Sequence, residues 1–81
     1  MKTIHSEAYK LLVDWLSSKR QLQGMTQQQL SEKLRRPQSF VSKFESGERR
    51  LDFIETIEIC TALNADPHEI VALIHKEKNE Y

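Results

Sequence analysis

The run Gln38-Ser39-Phe40-Val41-Ser42-Lys43-Phe44 mixes two kinds of side chain that a helix would sort onto two sides. Val41 and Phe44, three apart, form a narrow apolar stripe, while Gln38, Ser39, Ser42 and Lys43 occupy the opposite side. An amide, two hydroxyls and an ammonium displayed together are hydrogen-bonding groups for reading a polar surface. Gln can bond adenine bidentately, Lys can donate to guanine, and Ser adapts to either. Two arginine pairs, Arg35-Arg36 and Arg49-Arg50, flank this stretch, and their guanidinium groups suit phosphate. Reactive chemistry finds no comparable grouping. His5, His68 and His75 form no coordinating cluster and lack HExxH spacing, so no metal site is expected. Cys60 lies beside Ile57 and Leu63 at helical spacing and reads as a packing residue rather than a redox centre. With no Gly-rich phosphate loop and no Cys/His or Ser/His/Asp set, neither an enzyme nor a cofactor is expected.

The elements that must position these groups are helices. Only two Gly (Gly24, Gly47) and two Pro (Pro37, Pro67) occur, all where helical patterns start, stop or connect. No alternating β-branched run fills the gaps, so the chain reads as all-α with five helices, over about 7–21, 26–34, 37–46, 52–63 and 67–77. The first carries Ala8, Leu11, Leu12, Trp15 and Leu16 on one face. The second opens with a Thr26–Gln29 capping box and a Met25–Leu30 staple. Pro37 suits the first position of the third, and Gly47 suits its left-handed C-terminus. The fourth opens with an Asp52–Glu55 box, carries Phe53, Ile54, Ile57, Cys60 and Leu63, and ends at Asn64. The fifth opens with Asp66-Pro67-His68-Glu69, a third expected box, and carries Ile70, Val71, Leu73 and Ile74.

Helices two and three are joined by about three residues, which forces a steep crossing and projects the third beside the second. Leu30 and Leu34 then face Val41 and Phe44, with Ser31 small enough for close approach. This is helix-turn-helix geometry, in which the second helix can enter a major groove about 12 Å wide. Overall charge does not by itself favour it, because twelve Lys/Arg balance twelve Asp/Glu. The balance is uneven along the chain. Residues 19–50 hold eight basic and three acidic residues, a local +5, and the remainder holds four basic and nine acidic, or −5. Such a dipole can orient a domain on phosphate while limiting non-specific adhesion.

These residues resemble a known family. Thr26-Gln27, Leu30-Ser31, Leu34 and Val41-Ser42-Lys43-Phe44-Glu45-Ser46-Gly47 are similar to the Xre/Cro repressor-like (lambda repressor-like) helix-turn-helix domain. The likeness runs upstream through Leu16, Arg20 and Gly24. Downstream it takes in Glu48-Arg49-Arg50-Leu51-Asp52 and Ala62-Leu63-Asn64-Ala65-Asp66-Pro67, so that it spans roughly residues 11–74. The resemblance implies a compact five-helix domain in which Gln27 bonds a phosphate and braces the recognition helix. It also implies that Gln38, Ser39 and Lys43 read bases, that Arg20 and Glu45 form a partly buried ion pair, and that Arg49 and Arg50 lie against the DNA backbone.

Two positions depart from the family pattern. Arg35 stands where Gly is usual, so either the turn is reshaped or a left-handed Arg is tolerated for a phosphate contact. Phe40 is large and apolar near the reading face, where it could touch thymine methyls or fold back over the third and fourth helices.

The chain is thus expected to be a single domain over residues 1–81 that binds double-stranded DNA as a transcriptional repressor. Gln38, Ser39, Ser42 and Lys43 would read bases, and Gln27, Arg35, Arg36, Arg49 and Arg50 would hold phosphates. A wide apolar arc on the fifth helix, packed on one side against the fourth, predicts a homodimer through Val71 and Ile74, with Tyr81, on a palindromic operator. The competing expectation is an antitoxin-like module that binds a protein partner, its DNA binding autoregulatory or lost. With no 18-residue apolar run, no apolar h-region and one cysteine, a cytoplasmic, bacterial or phage-encoded protein without membrane contact is expected, nucleoid-associated when bound.

Overall fold

A computed structural model describes residues 6–78. Over these residues the chain forms α1 (Glu7–Leu22), α2 (Gln27–Leu34), α3 (Gln38–Ser46), α4 (Phe53–Leu63) and α5 (Pro67–Lys78). The starts are chemically explicit. Ser6 accepts the Tyr9 amide at the head of α1, a cap not anticipated from sequence. Thr26 and Gln29, and likewise Asp52 and Glu55, form reciprocal capping boxes. Asp66 instead receives the His68 amide, and the Glu69 carboxylate lies 3.4 Å from Lys19 of α1. Pro37 is the N-cap of α3 rather than its first helical residue. Its ψ of 151° is extended, and its carbonyl already accepts the Phe40 amide.

Three helix ends turn left-handed, at Arg35, Gly47 and Asn64. Arg35 keeps the conformation usually given to glycine, with φ 58° and ψ 43°. The Arg36 amide then reaches back to the Ser31 carbonyl at 3.0 Å. The left-handed turn is therefore kept and the residue bears the strain, about 1–2 kcal/mol for a side chain with a Cβ.

The core joins all five helices: Trp15 and Leu16, then Leu30, then Phe40, Val41 and Phe44, then Ile59, Cys60 and Leu63, and last Ile70. Leu34 packs at its edge, and Ser31, 1% exposed, lets α2 and α3 approach closely. Two expectations are corrected. The buried stripe of α4 is Glu55, Thr56, Ile59, Cys60 and Leu63, which leaves Phe53 and Ile54 turned outward, 71% and 62% exposed. The helix is apolar over more than half its circumference, and the 3.6-residue period centres its inner face on Ile59 and Leu63. Furthermore, α5 packs along α1 rather than α4, because the left-handed Asn64 and the short link after it fold the chain back. Burial pushes the Cys60 thiol up from its usual range, as suits a packing residue.

Replacing Arg35 by Gly releases the Cβ strain at the end of α2. Arg35→Gly should raise Tm by roughly 4 °C, the equivalent of about 0.5–1 kcal/mol in a domain of this size, as read by thermal circular dichroism.

Candidate nucleic-acid interface

Steric matching of Leu30 with Val41 and Phe44 brings α2 and α3 together, but apolar contacts do not fix how α3 rolls about its axis. A buried carboxylate supplies that constraint. Glu45, near the end of α3, receives Arg20 Nε at 2.7 Å and Arg20 Nη2 at 3.0 Å, a two-pronged ion pair reaching from α1. The Gln27 amide donates to the same carboxylate from the start of α2 at 3.0 Å, and the Ser17 hydroxyl at 3.5 Å. Arg20 uses its remaining terminal nitrogen to hold the Met25 carbonyl at 2.7 Å. Only 11% of the Arg20 side chain and 8% of the Glu45 side chain remain exposed. One anion thus locks three helices, and Gln27 serves as a brace whose amide N–H is spent inside the protein.

With α3 locked, its outward face presents Gln38, Ser39 and Lys43, all solvent-exposed. Ser42 is half-buried, and its hydroxyl donates back to the Ser39 carbonyl at 3.3 Å, so it presents less of a free donor than its neighbours. Phe40 does not join the outward face. It is 7% exposed and meets Phe44 edge-on, with ring centroids 5.6 Å apart at 63°. Of the two roles open to it from sequence, folding back is the one adopted.

The four arginines divide into two classes. Arg35 is exposed at the α2–α3 turn, and Arg50 lies over the Tyr9 ring at 4.4 Å. Arg36 and Arg49 are drawn inward to Glu55. Arg49 forms a two-pronged pair with it at 3.0 and 2.9 Å. Arg36 approaches the same carboxylate at 3.4 Å and Glu58 at 3.6 Å. Both guanidinium groups also sit on the Phe40 ring, at 4.4 Å for Arg36 and 4.8 Å for Arg49. Glu55 is held at about 2, well below its ordinary value, first by the Arg49 hydrogen bond and then by the Asp52 amide. The loop before α4 is pinned from the other side. Tyr9 Oη accepts the Leu51 amide at 3.0 Å and donates to the Arg49 carbonyl at 3.4 Å.

The arrangement is a locked helix with a polar outer face, bordered by guanidinium groups at both ends. A helix-turn-helix family model matches residues 16–70. An XRE-family like protein from Pseudomonas syringae pv. tomato str. DC3000 is 42% identical over 91% of this chain and 90% of that one, with a TM-score of 0.84. The chain belongs to the Xre/Cro repressor-like helix-turn-helix family. It is accordingly a DNA-binding transcription regulator. Two structures of the restriction-modification controller protein C.Esp1396I share the fold at 22% identity. The wild-type protein superposes with a TM-score of 0.78, and its tetramer in complex with its natural 35 base-pair operator with 0.77; each pairing covers 90% of this chain and 96% of the other. The comparison with curated proteins gives no match.

Within the helix-turn-helix frame, α3 is the recognition helix, and two residues that position its surroundings went unassigned from sequence. Glu55 was legible only as a cap; the signal for more was the two arginine pairs preceding an acidic N3 residue. Tyr9 carries no such signal, since its partners lie about forty positions away. Among the described residues no group of His, Cys, Asp and Glu could hold a metal ion, and no helix is long and apolar enough to cross a membrane.

Glu45→Ala would strand the Arg20 guanidinium with one protein acceptor and release Gln27. It should cost about 3 kcal/mol or more in urea unfolding, against well under 1 kcal/mol for Lys10→Ala in the exposed Lys10–Asp14 pair. Acid should act through Glu55. Its carboxyl is lowered on folding, so its contribution is full above about 4.5 and is lost as pH falls toward about 2. Tm should therefore drop between pH 5 and pH 2, and Glu55→Gln should flatten part of that drop.

Proposed function

We propose that this helix-turn-helix protein represses transcription by occupying a palindromic operator as a homodimer. The observation that carries the reading is the fixed outward face of α3. Gln38, Ser39 and Lys43 project from one helix whose roll is set by the Arg20–Glu45–Gln27 network. Those three side chains, with Ser42 as a lesser contributor, read base edges in the major groove. Arg35 and Arg50, with Arg36 and Arg49 nearer the helix, meet the flanking phosphates, and Gln27 extends its remaining amide N–H toward the backbone.

The exposed apolar side chains of α5 support dimerisation through that helix. Val71 is 58% exposed and Leu73 40% exposed, whereas Ile74 packs partly onto the core, so the contact centres on Val71 with Ile74 at its inner edge. Tyr81, expected to take part, lies outside the described residues. C.Esp1396I, which shares the fold, has been solved as a tetramer on its operator, and that precedent supports symmetric assembly on DNA. Two recognition helices related by a two-fold axis sit about 34 Å apart, one turn of duplex. Repression by simple occlusion of a promoter then requires nothing beyond this domain.

DNA selected from a random pool should emerge as an inverted repeat with half-site centres about 10 base pairs apart. Gln38→Ala or Lys43→Ala should relax the preference at one position in each half-site, by about 1–3 kcal/mol in fluorescence polarisation. Selection of an asymmetric site, or variants with unaltered preference, would refute this reading.

A further inference from the structure

Beside the first turn of α3 lies an open notch of about 220 Å³ walled by Arg36, Pro37, Ser39, Phe40, Lys43 and Arg49. Three of the six walls are cationic, and the helix N-terminus adds partial positive charge. The unusual part is the construction behind it. Two guanidinium groups lie on the Phe40 ring, Arg36 at 4.4 Å and Arg49 at 4.8 Å from its centroid. A single carboxylate, Glu55, then gathers both guanidinium groups from behind, at 3.4 Å for Arg36 and 2.9–3.0 Å for Arg49. Glu55 is itself immobilised, because its Oε1 accepts the Asp52 amide at 3.0 Å as half of the α4 capping box. Only 11% of its side chain is exposed, so it contributes to DNA binding through the arginines it holds.

Held in this way, Arg36 and Arg49 must give up their Glu55 contacts before they can swing out to meet whichever phosphate is nearest. Each guanidinium carries five N–H donors; Arg49 spends its terminal nitrogens on Glu55 and the Arg50 carbonyl, and Arg36 reaches Glu55 and Glu58, which leaves donors over in both groups that line the notch. A phosphate oxygen entering there meets preset donors, provided that α3 has seated at the depth and angle that bring the phosphate to the notch. In a misregistered complex the same two cations would keep their carboxylate partners, Glu55 for both and Glu58 for Arg36, and contribute little.

We propose that Glu55 is a specificity-determining positioning residue: together with Phe40 it restrains Arg36 and Arg49 as a rigid phosphate clamp, so that their contacts form only when the recognition helix is in register. This rests on the DNA-binding reading above and adds how that reading is made selective. Phosphate contacts carry no sequence information by themselves. A restrained clamp acquires it by rewarding a single docking geometry, as preorganisation does generally.

The experiment compares wild type, Glu55→Gln and Phe40→Leu on two duplexes, the selected operator and a random sequence of equal length, over a range of salt. Gln at position 55 retains an acceptor for the Asp52 amide, and Leu at position 40 retains apolar filling; thermal melts verify folding. Freed arginines should tighten binding to the random duplex and steepen its salt slope by about 1–2, since each new phosphate contact adds roughly 0.9. Operator binding should gain less, so that the operator-to-random ratio falls by about tenfold. A pure charge effect would shift both duplexes by one factor, and a merely structural role would weaken both in parallel. An unchanged ratio of either kind overturns the proposal. If Glu55→Gln fails to fold, Phe40→Leu alone decides by the same ratio. Failure of the wild type to prefer its operator would instead defeat the DNA-binding reading itself, which keeps the two failures distinct.

Discussion

The fold of this small helix-turn-helix protein depends on one buried anion. The Glu45 carboxylate receives donors from Arg20 and Ser17 of α1 and from Gln27 of α2 while belonging to α3. Removing a carboxylate from water is expensive, and several charge-assisted or polar donors are needed to offset the loss. Those donors come from fixed points on two other helices, so the cost is met only in one relative orientation. Hydrophobic burial of Leu30, Val41 and Phe44, each fully buried, supplies most of the attraction between α2 and α3. That attraction is nearly indifferent to small rolls of one helix on another. The directional network removes the indifference, and with it fixes which side chains of α3 face outward.

Charge is organised a second time at Glu55. The chain carries equal numbers of acidic and basic residues, but residues 19–50 are basic and the rest acidic. Folding brings Glu55 of α4 against Arg36 and Arg49, with Glu58 beside Arg36, and these carboxylates subtract from the field of the basic face without abolishing it. The surrounding charges Lys43, Arg35 and Arg50 remain exposed on that face. The protein thus keeps two populations of cations. One is exposed and suited to long-range attraction, and the other is held on Glu55 and suited to short-range geometry.

Much of this was legible in the sequence because the relevant signals are local. The boxes at Thr26 and Asp52, the left-handed ends at Gly47 and Asn64, and the Leu30–Ser31–Val41–Phe44 contact all follow from residue type at fixed offsets. Where the reading failed, the deciding information was distant. The period of α4 permits more than one inner face, and only the positions of α1 and α2 select Ile59 over Ile54. The direction of α5 depends on how the chain leaves Asn64, so its packing on α1 could not be read from its own apolar arc. Phe40 was ambiguous for the same reason. Its burial requires Arg36 and Arg49 to cover the ring, and nothing in the spacing of those residues announces that they converge.

The left-handed residues add a distinction that conservation of shape alone would hide. Asn64 adopts φ 55° and Arg35 φ 58°, nearly the same conformation, yet the two residues bear it unequally. Asn is among the few side chains that visit this region readily, whereas Arg lacks the short polar side chain that makes the conformation easy for Asn. The turn at Asn64 joins α4 to α5, and there the chain uses a tolerant residue. The turn at Arg35 lies immediately before the recognition helix, and there it uses an intolerant one bearing a positive charge. Strain that persists at a single place, where a cheaper residue would preserve the geometry, is accounted for by what the side chain does rather than by how the backbone folds. In a domain with only a few kcal/mol of stability to spare, an exposed positive charge beside the α2–α3 turn is a property of Arg35 that glycine does not supply.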